Sequence, residues 1–208
     1  MKTICSFIII GLLIFCFKEI NAQDLIEKYN MVFVPAGTDS FEIQATKPSD
    51  DNTFTFYIDC MSLDQGTKHG GIMIKNSQAP FFINCVKTAK EKFIEWGNVA
   101  KQNQVTEMDK VIDVGRLKID GGYFMHYKDW EFDFSIVLTF RFKIIDGTPT
   151  LIINTGEMVS SSNEFIKTDG FAFVFQSVNE IDNFMVGLDE NLVISHYKNK
   201  AEKENLFK

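Results

Sequence analysis

Residues 130–145 alternate almost without fault between large apolar and polar side chains. Trp130, Phe132, Phe134, Ile136, Leu138, Phe140, Phe142 and Ile144 fall on one phase. Glu131, Asp133, Ser135, Thr139, Arg141 and Lys143 fall on the other. A period of two predicts one long antiparallel strand with its apolar face in the core and its polar face in water. Asp146-Gly147-Thr148-Pro149 turns the chain back, and 150–159 reads as the hairpin partner.

The same period recurs elsewhere. Phe41, Ile43 and Ala45 alternate with Glu42 and Gln44, and Phe54, Phe56, Ile58 and Cys60 with Thr53, Thr55, Tyr57 and Asp59. Phe171, Phe173 and Phe175 alternate with Ala172, Val174 and Gln176. Shorter apolar runs at 31–34 and 72–74 predict more deeply buried strands. Segments 111–119 and 122–127 flank Asp120-Gly121, a dipeptide that predicts a hairpin between them. About nine strands result, mostly joined by short turns.

Two segments switch to a helical period. In 78–103, Phe82, Cys85, Val86, Ala89, Phe93, Trp96 and Ala100 share one stripe, with Ser77 as the expected N-cap and Pro80 in the first turn. In 178–197, Ile181, Phe184, Met185 and Leu188 form the apolar face, and Asp189 caps a second piece. Ser177 and Glu180 stand at capping-box spacing ahead of it. The tail from about 199 is mostly charged and is expected to fray. The predicted fold is α+β, a mainly antiparallel sheet system covered by one long helix and a C-terminal helical segment. Each half reads as a meander followed by a strand–amide–Ser–helix junction, a pattern consistent with a degenerate repeat.

The N-terminus changes the compartment. Met1-Lys2 precedes an uncharged run from Ile4 to Phe17, and Ala22 offers a small residue at a cut before Gln23. This is the pattern of a secretory signal peptide over 1–22, leaving 23–208 as a single globular domain. The protein is therefore expected to be exported, periplasmic or extracellular, with no membrane span after cleavage. Cys5 and Cys16 leave with the leader. Cys60 and Cys85 remain, on the apolar faces of a strand and a helix, as a possible disulfide.

Charge narrows the partners. The whole chain carries 21 Lys+Arg against 28 Asp+Glu, a net charge of −7. Losing Lys2, Lys18 and Glu19 makes the remainder more negative still. Nucleic acid and anionic lipid are poor matches for such a surface. The sequence holds no nucleophile elbow, no H-E-x-x-H, no C-x-x-C and no phosphate-binding glycine loop. Its three histidines, His69, His126 and His196, show no metal-ligand spacing, and no cofactor or metal is expected. Glu131 and Asp133, two apart on one strand face, are the best carboxylate pair for a hydrolase, although cross-strand ion pairing on the face they share with Arg141 and Lys143 explains them without catalysis. Asp50-Asp51-Asn52 and Ser160-Ser161-Ser162 read as a polar turn and a solvated connection. Tyr123, His126, Tyr127 and Trp130 crowd one turn region and form the candidate ligand site.

The first expectation is thus an exported non-enzymatic protein that binds another macromolecule, such as a protein partner in the cell envelope, in the manner of an inhibitor or immunity protein. A carbohydrate- or lipid-binding module using the aromatic turn is the alternative, and a hydrolase built on Glu131 and Asp133 the next.

Overall fold

The computed structural model describes residues 23–33, 37–64, 67, 69–134 and 136–207. The leader, with its cleavage site, lies outside these residues. The described chain is α+β, with three antiparallel sheets and three helices.

The first sheet has six strands in the order β1 (Asp24–Phe33), β2 (Gly37–Ala45), β3 (Thr55–Asp59), β5 (Gly70–Lys75), β7 (Gly121–His126) and β8 (Asp129–Phe134). The second has five, in the order β4 (Met61–Ser62), β13 (Phe171–Phe175), β10 (Thr148–Asn154), β9 (Val137–Ile145) and β6 (Met108–Lys118). β11 (Met158–Val159) and β12 (Lys167–Thr168) form a small two-stranded ribbon. The helices are α1 (Ala79–Gln102), α2 (Val178–Val186) and α3 (Glu190–Asn205).

Strands β1, β2, β3 and β5 form a sequential meander that ends in α1. Strands β6, β9, β10 and β13 form a second meander that ends in α2. The β7–β8 pair is inserted into the second meander but adds to the edge of the first sheet. The two meander-plus-helix units thus share one connectivity, as the sequence pattern anticipates. Their helices are exchanged. α1 leaves the first sheet and packs on β6, β9 and β10 of the second, while α3 packs on β1 of the first and α2 bridges β1, α1 and β13 of its own sheet. Phe93 and Trp96 of α1 meet Phe142 at 6.2 and 5.7 Å between ring centres. Phe184 of α2 sits at the joint, 5.0 Å from Tyr29, 4.9 Å from Phe173 and 6.0 Å from Phe82. One continuous hydrophobic cluster therefore runs through both sheets and all three helices.

Local chemistry explains the elements. α2 starts with a full capping box: the Ser177 hydroxyl accepts from the Glu180 N–H at 3.2 Å, and the Glu180 carboxylate accepts from the Ser177 N–H at 3.2 Å. The β9–β10 hairpin closes on Asp146 and Gly147, both with positive φ, as a tight two-residue turn that matches strand twist requires. β13 is buried on both faces, including Ala172 and Val174, because it lies inside its sheet with β1 beside it.

Several expectations are corrected. α1 is capped at Gln78, in helical geometry and without a side-chain cap, rather than at Ser77. α3 stays helical to Asn205, although it is exposed beyond Tyr197. Asp120-Gly121 is no hairpin turn: β6 and β7 lie in different sheets, and the dipeptide carries the chain from one to the other. Gly121 is needed for close approach, since a Cβ there would come within 2.3 Å of the Asp133 carbonyl oxygen. Cys60 and Cys85 are both buried free thiols. They approach different carbonyls, those of Ile58 and Val114, and form no disulfide with each other.

The largest correction concerns 130–145. The run is two strands, β8 in the first sheet and β9 in the second. In β9 the expected phase holds, and Leu138, Phe140, Phe142 and Ile144 are buried. In β8 it is inverted relative to the core. Trp130 and Phe134 are 48% and 59% exposed, while Glu131 and Asp133 turn inward.

Candidate functional site

The pairing register fixes which side chains share the outer face of the first sheet. One row runs Gln44, Tyr57, Met73, Gly121, Phe134. The next runs Asp59, Gly71, Tyr123, Phe132, and a third pairs Met125 with Trp130. The opposite face carries Ile43, Ile58 and Ile72, all fully buried. Alternation along each strand therefore places five aromatic side chains, Tyr57, Tyr123, Trp130, Phe132 and Phe134, on the side away from the core.

These rings form two groups, one centred on the buried Tyr123. Tyr123 lies 5.5 Å from Tyr57 and 5.6 Å from Trp130, and Phe132 stacks parallel to Phe134 at 6.5 Å. Gly71 stands between Asp59 and Tyr123 in the row. Tyr123 reaches across that bare position and donates its hydroxyl to the Asp59 carboxylate at 2.7 Å. Burial pushes the half-buried Asp59 carboxyl up, against the opposing pull of the Tyr123 hydrogen bond. Burial likewise holds the Tyr123 hydroxyl well above its ordinary value, so it stays a donor. Polar groups rim the set: Gln44 donates to Glu42 at 3.0 Å, Lys28 pairs with Glu42 at 3.1 Å, and Lys75 pairs with Asp120 at 3.6 Å.

The inward face of β8 shows why the strand is placed this way. The Asp133 carboxylate accepts from the Val159 N–H at 2.9 Å. The Glu131 carboxylate accepts from the hydroxyls of Ser160 at 2.5 Å and Ser162 at 2.9 Å. The Phe132 carbonyl accepts from the Ser161 N–H at 2.7 Å. The segment following β11 is thereby strapped along β8, and the Ser160 hydroxyl holds the Glu131 carboxyl below the usual carboxylate range, with Ser162 adding to the effect. The paired carboxylates do not meet Arg141 and Lys143, which instead bind Asp109 of β6 at 2.7 and 3.2 Å. Ser160 is buried rather than solvated, and its hydroxyl donates to the Glu131 carboxylate.

The four aromatic and imidazole residues expected at the turn separate into two places. Tyr123 and Trp130 belong to the outer face. His126 and Tyr127 line a cavity of about 400 Å³ with His69, Thr67, Met125 and Lys167. Tyr127 is 89% exposed, adopts positive φ at the β7–β8 turn, and lies 4.5 Å from the His126 ring. His196 is remote from both, on α3, bonded to Asp24 at 3.0 Å. No group of three or more His, Cys, Asp or Glu side chains among the described residues is arranged to hold a metal ion. No described helix is long and apolar enough to cross a membrane. Sequence reasoning missed Phe132 and Phe134 as outer-face residues, the first half-buried and the second exposed. Gly71 and Gly121 on the neighbouring strands, which leave flat ground for large rings, are the signal that could have found them.

No protein family matches the sequence, no curated protein matches it, and no solved structure matches the fold.

Proposed function

We propose that this is an exported, non-catalytic binding protein that takes a protein partner of the cell envelope on the aromatic outer face of its six-stranded sheet. One observation carries the reading. β8 turns Trp130 and Phe134 toward solvent, with Phe132 half-buried between them, and uses Glu131 and Asp133 to hold its own neighbour. Burying the aromatics instead would have been the ordinary outcome for such a strand. Exposed Trp130 and Phe134 beside the half-buried Tyr57 and Phe132, with a polar rim, have the anatomy of a protein interface, where such residues act as anchors. The net charge of −7 favours a basic partner and a salt-sensitive encounter. Export rests on the leader pattern.

The test uses the full chain with its own leader and a C-terminal tag, alongside Trp130→Ala and Phe134→Ser. The expected result is one dominant, salt-sensitive protein partner held by the native chain and lost from both variants at unchanged melting temperature. Equal capture by all three proteins would contradict the assignment of the face. The half-buried Asp59 beside Tyr57, Tyr123 and Trp130 favours a second reading, a glycan stacked on these rings. A glycan-dependent rise in melting temperature, lost in Trp130→Ala, would favour that reading over the first.

A further inference from the structure

A second concavity lies away from the aromatic face and shares no residue with it. The last turns of α1, the β9–β10 turn and the start of α2 enclose a half-open groove of about 600 Å³. Its walls are mainly apolar: Phe93, Ile94 and Ala100 from α1, Val105 after it, Pro149 from β10 and Val178 from α2. The volume lies in the range of small-molecule sites.

Two features set this groove apart from a packing defect. The first is Gly97, inside the last two turns of α1, where glycine weakens a helix relative to alanine. Packing does not demand it. A Cβ at Gly97 would meet only Pro149, at 3.6 and 3.7 Å, which is ordinary contact, and its φ is not positive. No side chain projects into the groove at this point of its wall. The second is charge. Lys101 is the one charged side chain lining the groove, in a chain that is strongly acidic overall. It makes no ion pair among the described residues. The amides of Asn98, Gln104 and Gln176 supply further donors along the groove.

We infer that this groove binds a single-chain amphiphilic carboxylate, its hydrocarbon lying over Gly97 between Ile94, Pro149 and Val178 and its carboxylate meeting Lys101. Each buried methylene favours the apolar wall, and the unpaired ammonium selects an anion over a neutral or cationic head. The occupant is a free monomeric chain, not a bilayer, because a protein with a net charge of −7 is repelled by anionic membranes.

The probe is dodecanoate below its micellar concentration, titrated calorimetrically into the full chain, with dodecanol and dodecyltrimethylammonium as head-group controls. The expected result is saturable one-to-one binding of dodecanoate. Gly97→Leu, which fills the groove, should abolish it. Ile94→Glu, a change at an exposed wall residue, should abolish it too and keeps the test open if Gly97→Leu fails to fold. Lys101→Gln should weaken dodecanoate by about tenfold and leave dodecanol unchanged. No saturable binding by the native protein would overturn the inference, as would binding indifferent to Ile94→Glu. Uptake onto phosphatidylglycerol vesicles without binding of free dodecanoate would overturn it as well. Because Trp130→Ala leaves the groove intact, dodecanoate binding and partner capture fail independently.

Discussion

β8 and β9 come from one uninterrupted alternating run, yet their apolar faces have opposite fates. In β9 the phase carrying Phe140 and Phe142 is buried under α1, through Phe93 and Trp96. In β8 the same phase, carrying Trp130 and Phe134, is on the surface. The difference lies in what stands opposite each strand. β9 sits between β6 and β10 in a sheet with a helix on its apolar side. Among the described residues no helix packs over the β8 aromatics, and its polar side meets a segment whose donors, the Val159 N–H and the hydroxyls of Ser160 and Ser162, bind Asp133 and Glu131. Turning Glu131 and Asp133 outward would strand those donors. A period of two therefore tells which side chains share a face, and the neighbours decide which face is the inside.

This comparison can be broken at several points. The largest effect is expected from Phe140→Ala, which empties a fully packed site on β9 and should cost about 3–5 kcal/mol in chemical denaturation. Asp133→Ala should cost about 1–3 kcal/mol, because it leaves the Val159 N–H without its carboxylate acceptor. Amide hydrogen exchange should then quicken through 158–163 while β9 stays protected. The Glu131 strap should depend on acid. Its carboxyl is held lower in the folded chain than in the unfolded one, so its contribution is present at neutral pH and disappears as the pH falls through the lowered value. Protection factors at 160–163, corrected for the intrinsic slowing of exchange in acid, should fall on acidification in the native protein, and Glu131→Gln should flatten that pH dependence. Phe134→Ser should be the mildest, within about 0.5 kcal/mol of the native protein, as for other exposed positions. A loss near that of Phe140→Ala would show the β8 aromatics to be core.

Much of the fold is legible in the residues, for identifiable reasons. The apolar stripe from Phe82 to Ala100 and the Ser177–Glu180 box are local signals, and both survive in α1 and α2. The Asp146-Gly147 turn does so too, because positive φ at both positions leaves few other solutions. What fails is non-local. Nothing near Asp120-Gly121 reveals that the strands on either side join different sheets. β1 is longer than its apolar run because Glu27, Lys28 and Asn30 ride on an edge strand exposed to water. The exchange of helices between the two meanders is likewise a property of tertiary packing. At the candidate site, Tyr123 and Trp130 are legible as neighbours in one turn region. Phe132 and Phe134 are not, since their alternation is identical to that of a buried strand.

The account turns on the orientation of β8, and Trp130 reports it directly. Trp96 and Trp130 are the only tryptophans in the chain, so Trp96→Phe leaves Trp130 as the sole indole. Acrylamide and iodide quenching of that protein, native against unfolded, is the measurement. The account predicts red-shifted native emission and ready quenching, consistent with a ring 48% exposed on the sheet's outer face. Blue-shifted emission, shielded from both quenchers until the protein unfolds, would place β8's aromatics inside and contradict it.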